Sequence, residues 1–167
     1  MVTFTFDDGF QSIYDYARTM LDAVGMKPTL YIVTNFLGEP DYMTTAQTLE
    51  MSRNGYEIGA HTRNHENLTQ LSVSRLQEEI LGSKNDLLAL GITPVSTFAY
   101  PFGEYNNQVV QAVKDAGFLS ARSVHSGFND KNADPFLLMD QHVESHVTAD
   151  QIKIWINKAV AEKKWLI

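Results

Sequence analysis

Two groups of side chains in this sequence have the types and spacing used by acid–base and metal chemistry. The first is Asp7-Asp8 within Thr5-Phe6-Asp7-Asp8-Gly9-Phe10, and the second is the pair His61 and His65 within Gly59-Ala60-His61-Thr62-Arg63-Asn64-His65. Imidazoles four residues apart share one side of a helical turn and can grip a divalent cation. With one carboxylate from another segment the set becomes two His and one Asp, which leaves coordination positions open and so suits catalysis better than structural support. On its own the acidic doublet reads equally well as a solvated turn or a helix start, because Asp-Gly is a frequent turn. Neighbouring strand residues point to opposite faces, so Asp7 and Asp8 can meet at one site only if the chain turns sharply, which Gly9 permits. A third segment, Phe98-Ala99-Tyr100-Pro101-Phe102-Gly103, sets aromatics on both sides of a proline that fixes the backbone. Those rings either line a sugar-binding groove or pack a strand end, and Phe98 reads as core.

Each of these segments follows a short β-type run. The strand candidates are 3–6, 29–33, 56–60, 95–100 and 118–122, a weaker one at 137–139, and an apolar opening at Trp165-Leu166-Ile167. Helical patterns alternate with them. Val73, Leu76, Ile80, Leu87 and Leu88 form a stripe between a Ser72 cap and Gly91. Ile152, Trp155, Ile156, Ala159 and Val160 form another behind a Thr148/Gln151 capping box. Alternation of this kind predicts an α/β fold with a parallel sheet, either doubly wound or an incomplete barrel, with the site where strands end. No internal boundary divides the chain, so one domain over 1–167 is expected. Both ends read as abrupt, the pattern of a domain trimmed at its C-terminus.

Composition narrows the chemistry further. The 167 residues carry 13 Lys+Arg against 20 Asp+Glu, a formal net charge of −7, with no basic cluster to serve as a nucleic-acid footprint. Cysteine is absent, so a metal must rest on His, Asp and Glu. No apolar run has the length of a membrane span, and the first residues lack the layout of a secretory signal.

Together the three segments resemble the polysaccharide deacetylase family, the group with the NodB homology domain also called carbohydrate esterase family 4. Thr5-Phe6-Asp7-Asp8-Gly9 matches its first motif, and His61-Thr62 with His65 matches its second. The resemblance implies a distorted, incomplete (β/α) barrel, here lacking its last strand, with the active site at the strand C-termini. It further implies a metal-dependent hydrolase that removes N-acetyl or O-acetyl groups from a carbohydrate. In it Asp7 is general base, Asp8, His61 and His65 hold a divalent metal, most often zinc, and the Tyr100-Pro101-Phe102 turn contributes substrate or oxyanion contacts through the Phe102 N–H. Relatives acting on envelope polysaccharides are generally exported, which places this chain outside the cell or in the envelope by analogy.

Two departures from the family pattern matter. The third motif commonly has an Arg two residues before the proline, where this chain has Ala99, so Arg122 on a later strand is the expected source of the missing positive charge. The family's closing histidine, the general acid, has no counterpart up to Ile167. His125, placed in the loop after its strand, is a weak substitute, with His142 and His146 less well placed. An alternative reading is therefore a non-catalytic or impaired carbohydrate-binding domain of the same fold. A hydrolase of another bond, such as a phosphoester, has no phosphate loop to support it.

Overall fold

The computed structural model describes residues 1–167. Six strands, β1 (Thr5–Phe6), β2 (Thr29–Ile32), β3 (Glu57–Ala60), β4 (Thr97–Ala99), β5 (Ser120–Ser126) and β6 (Leu138–Asp140), form one sheet. Every neighbouring pair is parallel and the spatial order equals the chain order. A doubly wound sheet reverses its order at a switch point, whereas sequential order belongs to a barrel, so the barrel alternative holds. Its two edges are linked by the C-terminal residues: Leu166 bridges Val2 in parallel fashion, and the Gln141 N–H donates to the Ile167 carbonyl at 2.9 Å.

Helices α1 (Arg18–Ala23), α2 (Thr45–Arg53), α3 (Val73–Ala89), α4 (Asn107–Asp115) and α5 (Ala149–Ala161) fill the crossovers, and a π-turn at Ile13–Ala17 runs into α1. The starts of α2 to α5 are set by side-chain caps: among them, Ser72 accepts from the Arg75 N–H and Thr148 from the Gln151 N–H. A complete capping box occurs instead at Thr44–Gln47, heading α2. Leu30, Ile32, Met51, Ile58, Ile80, Leu87 and Phe98 are fully buried between sheet and helices. No helix is long and apolar enough to cross a membrane.

The α3 stripe is narrower than its periodicity predicts. Leu76, Ile80 and Leu87 are buried, but Val73 and Leu88 are exposed, while Glu79, Gly82 and Ser83 occupy the buried face. Polar residues are tolerated there because this face meets the loop carrying His61 and His65 as well as the sheet. Likewise only Ala159 of the α5 stripe is fully buried and Val160 is exposed. β5 runs past Arg122 to Ser126 because it keeps pairing with β6 across a register irregularity, which puts His125 on a strand rather than in a loop.

Candidate active site

All the chemistry-bearing segments lie at the C-terminal ends of the strands. After β1 the chain makes a three-residue turn closed by the Gly9 N–H donating to the Asp7 carbonyl at 2.8 Å. Asp8 sits in its middle at φ 69° and Gly9 follows at φ 84°. The sharp turn thus uses a left-handed Asp8 as well as the glycine, and it puts both carboxylates on one site. After β3 the histidines are likewise not on a helical turn. Residues 61–67 form an irregular loop in which Thr62 (φ 69°) and His65 (φ 57°) are left-handed. Positive φ is a pronounced outlier for a β-branched residue such as Thr62. Phe102 after β4 shares the feature at φ 57°. Such residues store roughly 1–3 kcal/mol of strain each and persist only where surrounding contacts hold them.

For the histidine loop those contacts come from α3. Glu79 has no exposed surface, and one of its oxygens accepts from the Arg63 N–H at 3.0 Å and the Asn64 N–H at 2.8 Å. The other oxygen accepts from the Asn64 side-chain amide at 2.6 Å and lies 2.9 Å from an Arg75 guanidinium nitrogen. The Thr62 hydroxyl accepts from the His65 N–H at 2.9 Å, and Arg63 forms a two-pronged bond with Asp86 on α3, both prongs 2.7 Å. Asn64, Arg63 and Thr62 thereby fix the directions of the two rings.

The ligand atoms of Asp8, His61 and His65 all lie within 4.8 Å of one another, and each histidine Nε2 is 3.5 Å from the same Asp8 oxygen. His61 Nδ1 is 2.8 Å from the Ala99 carbonyl. A carbonyl can only accept, so Nδ1 carries the proton and the Nε2 lone pair faces Asp8. Burial pushes the His61 pKa down, against the pull of Asp7 and of the Ala99 carbonyl. The neutral ring that results is the form that ligates a metal. Two imidazoles and a carboxylate, with one tautomer fixed from behind, fit a divalent cation by the chemistry of the donors.

Asp7 stands beside this cluster and belongs to a different network. Both its oxygens accept from Arg122 Nη2, at 2.5 and 2.6 Å. Burial raises the Asp7 pKa, but the charge and hydrogen bonds of Arg122 outweigh it, so the carboxyl stays below its ordinary range and ionised. Arg122 is itself buried, and its Nη1 donates to Asp140 on β6 at 2.9 Å. One guanidinium therefore spans two carboxylates. Its Nε and the second Asp140 oxygen have no partner.

Of the turn after β4, Phe102 presents its ring edge-on to His65 at 4.6 Å and is exposed, whereas Pro101 is buried. Tyr100 is also buried, and its hydroxyl donates to the Phe136 carbonyl, so its side chain serves packing. A cavity of about 580 Å³ opens on the site. Asp7, Asp8, Arg122, Asp140 and His142 share its wall with apolar residues that include Phe10 and Trp155. His142 Nδ1 is 3.9 Å from Asp140, while His125 rests on the Tyr105 ring and His146 lies by Glu144. Glu79, Asp86 and Asp140 escaped the sequence reading. Glu79 had a visible signal, since an acid three residues after Leu76 and just before Ile80 falls on the apolar stripe.

Comparison with known proteins bears on the family and the fold. The polysaccharide deacetylase family model matches residues 1–121, a stretch holding all three motifs and ending one residue before Arg122. YxkH of Bacillus subtilis (strain 168), which carries a polysaccharide deacetylase name, is 31% identical over 117 residues, 70% of this chain and 42% of that protein. The poly-β-1,6-N-acetyl-D-glucosamine N-deacetylase of Staphylococcus aureus (strain MRSA252) is 26% identical over 162 residues, covering 86% of this chain and 56% of that one. The chain therefore spans about half the length of these relatives. Among solved structures, the fold superposes on the Streptococcus pyogenes deacetylase PplD in complex with acetate at TM-score 0.86 and 23% identity, over 91% of this chain and 68% of that one. It also superposes on the polysaccharide deacetylase BC0361 of Bacillus cereus at TM-score 0.84 and 24% identity, over 92% and 50%. With the family model spanning 121 of 167 residues and the motif side chains gathered at one sheet edge, the chain belongs to the polysaccharide deacetylase family.

Proposed function

We propose that residues 1–167 act as one domain that hydrolyses acetyl groups from a carbohydrate polymer, N-acetylglucosamine chains first among them, in a metal-dependent reaction. The observation that carries this reading is the pairing of two adjacent carboxylates in different electrostatic settings, Asp8 with two imidazoles and Asp7 with a buried guanidinium. Asp8, His61 and His65 would hold the cation, zinc being the expected one. Bound there, it would supply Lewis-acid polarisation of the acetyl carbonyl and acidify a water towards pKa ~7.

The remaining work falls to the chain. A carboxylate held below its ordinary pKa is a poor base towards bulk water, and a cation held by Asp8, His61 and His65 would narrow that mismatch by acidifying the water. Asp7 then takes the proton, and Arg122 keeps its carboxylate charged and aimed. The Phe102 N–H, at a turn fixed by Pro101, would donate to the oxygen that gains charge as the carbonyl is attacked. The proton that Asp7 takes from water is the one available for return to the leaving nitrogen, and acetyl and amine part when it arrives there.

Metal analysis with acetate release from N-acetylglucosamine oligomers, with and without a chelator, tests the reading. The expected result is bound metal and activity that the chelator abolishes, with Asp7→Asn slower by about 10²–10⁴-fold at unchanged metal content. Glycan binding with metal present and no acetate released would replace it with a non-catalytic carbohydrate-binding domain.

A further inference from the structure

Phe10 is two residues beyond Asp8 and stays 41% exposed although one face is covered. A single exposed phenylalanine is ordinary. This one is part of a built surface. Its ring is stacked on Tyr42 at 5.1 Å with only 19° between planes, and Phe36 packs against the same tyrosine at 4.8 Å. The backbone locks the stack: Phe10 and Tyr42 form an antiparallel bridge, the Gln11 N–H donates to the Asp41 carbonyl at 2.7 Å, and the Met43 N–H donates to the Gly9 carbonyl at 2.9 Å. No step of the reaction described above uses these rings.

Strand order gives the platform its position. Phe10 follows β1, Phe36 and Tyr42 follow β2, the histidines follow β3, and Phe102 follows β4. Phe10 shares the cavity wall with Asp7 and Asp8, so the stack lies beside the Asp8–His61–His65 cluster, and Phe102 meets that cluster at His65. Phe10 lies two residues beyond Asp8, a span of at most roughly 7 Å along the backbone, which is the scale of a neighbouring sugar rather than of the acetyl group itself. A pyranose ring has a flat face of C–H groups that buries well on an aromatic ring, while its hydroxyls stay at the rim. The chain's net charge of −7 favours a neutral polymer over a polyanion.

We propose that the Phe10–Tyr42–Phe36 stack is a sugar-binding subsite that takes the pyranose next to the acetylated one in a neutral hexosamine chain. The inference rests on the deacetylase reading for the register of the chain, and its test separates the two. Calorimetric binding of β-1,4- and β-1,6-linked N-acetylglucosamine tetramers to the wild type, Phe10→Ala, Phe10→Leu and Phe10→Trp measures the platform without turnover. Acetate release from tetramer and monomer measures the reaction. The expected result is binding of a tetramer that Phe10→Ala weakens about tenfold, equivalent to ~1.4 kcal/mol, with a smaller loss for Phe10→Leu and none for Phe10→Trp. The ratio of kcat/KM for tetramer over monomer should fall by the same factor in Phe10→Ala. Binding of neither tetramer by the wild type, equal binding by a folded Phe10→Ala, or equal loss on tetramer and monomer would overturn the subsite. If Phe10→Ala does not fold, Phe10→Leu against Phe10→Trp decides. Ring-dependent binding without acetate release leaves the subsite standing and removes the deacetylase reading.

Discussion

Replacing Glu79 should loosen the histidine loop from a helix that touches none of the proposed reacting atoms. This carboxylate is fully buried and holds three donors of the histidine loop, the Arg63 and Asn64 N–H groups and the Asn64 side-chain amide. Hydrogen bonds to a charged group contribute about 1.5–3 kcal/mol, and a donor left buried without a partner costs about 1–3 kcal/mol. Arg63 and Asn64 are half-buried, so water reaches part of the vacated site and the low end applies. Three donors at about 1–1.5 kcal/mol each put Glu79→Ala at about 3–4.5 kcal/mol, or roughly 6–18 °C in Tm for a domain of this size. The strained Thr62 and His65 would also lose the contacts that over-determine them, and groups that orient metal ligands typically change affinity by about 10–100-fold. Glu79→Gln should cost less, since one oxygen still serves the two backbone donors, while its amide faces Asn64 and Arg75 as donor against donor. Urea unfolding followed by circular dichroism, with a parallel zinc titration, reads both effects. Unfolding of Glu79→Ala within about 0.5 kcal/mol of the parent, together with zinc affinity within about twofold, would show that α3 does not hold this loop.

Further outcomes follow from the same geometry. Asp140→Asn removes the charge that steadies Arg122 from behind, and Arg122→Ala removes the contact with Asp7 itself. Both should lower kcat, Asp140→Asn by about tenfold and Arg122→Ala by more, with metal content by elemental analysis unchanged. Gly59→Ala in β3 would bring a methyl to 2.6 Å from the Tyr31 ring and 2.7 Å from the Thr97 hydroxyl. Overpacking of this kind costs about 1–3 kcal/mol, visible as a lower Tm. Asp86 is held below its ordinary value of 3.8, chiefly by its bonds from Arg63. A depressed carboxyl contributes stability that is complete above its unfolded pKa and is lost as pH falls through the folded one. The stability gap between parent and Asp86→Asn should therefore be full near about pH 6 and shrink below about pH 4, and a gap that stays constant over that range in urea titrations would contradict the pairing.

Local pattern sufficed for much of this protein. Strand positions, the caps at Ser72 and Thr148, the parallel α/β class and the motif residues at 5–9, 61–65 and 98–103 are legible because hydrophobic period, cap chemistry and residue type act over a few neighbours. Even there the local geometry was misread at the motifs. The His61–His65 spacing suggests a helical turn, yet the chain goes left-handed at Thr62 and His65, a conformation that no propensity favours and that distant contacts hold, chiefly Glu79, seventeen residues beyond Thr62, and Asp86. Arg122 was visible as a spare positive charge, but its capture between Asp7 and Asp140 joins β5 to the end of β1 across 115 residues of chain and to β6 across 18. The aromatic stack likewise exists only because the loops after β1 and β2 bridge one another. Sequence alone determined which groups could do chemistry and which edge of the sheet would carry them. Tertiary structure decided which groups meet, because strain, burial and long-range ion pairing are settled by what packs against a residue and not by its neighbours in the chain.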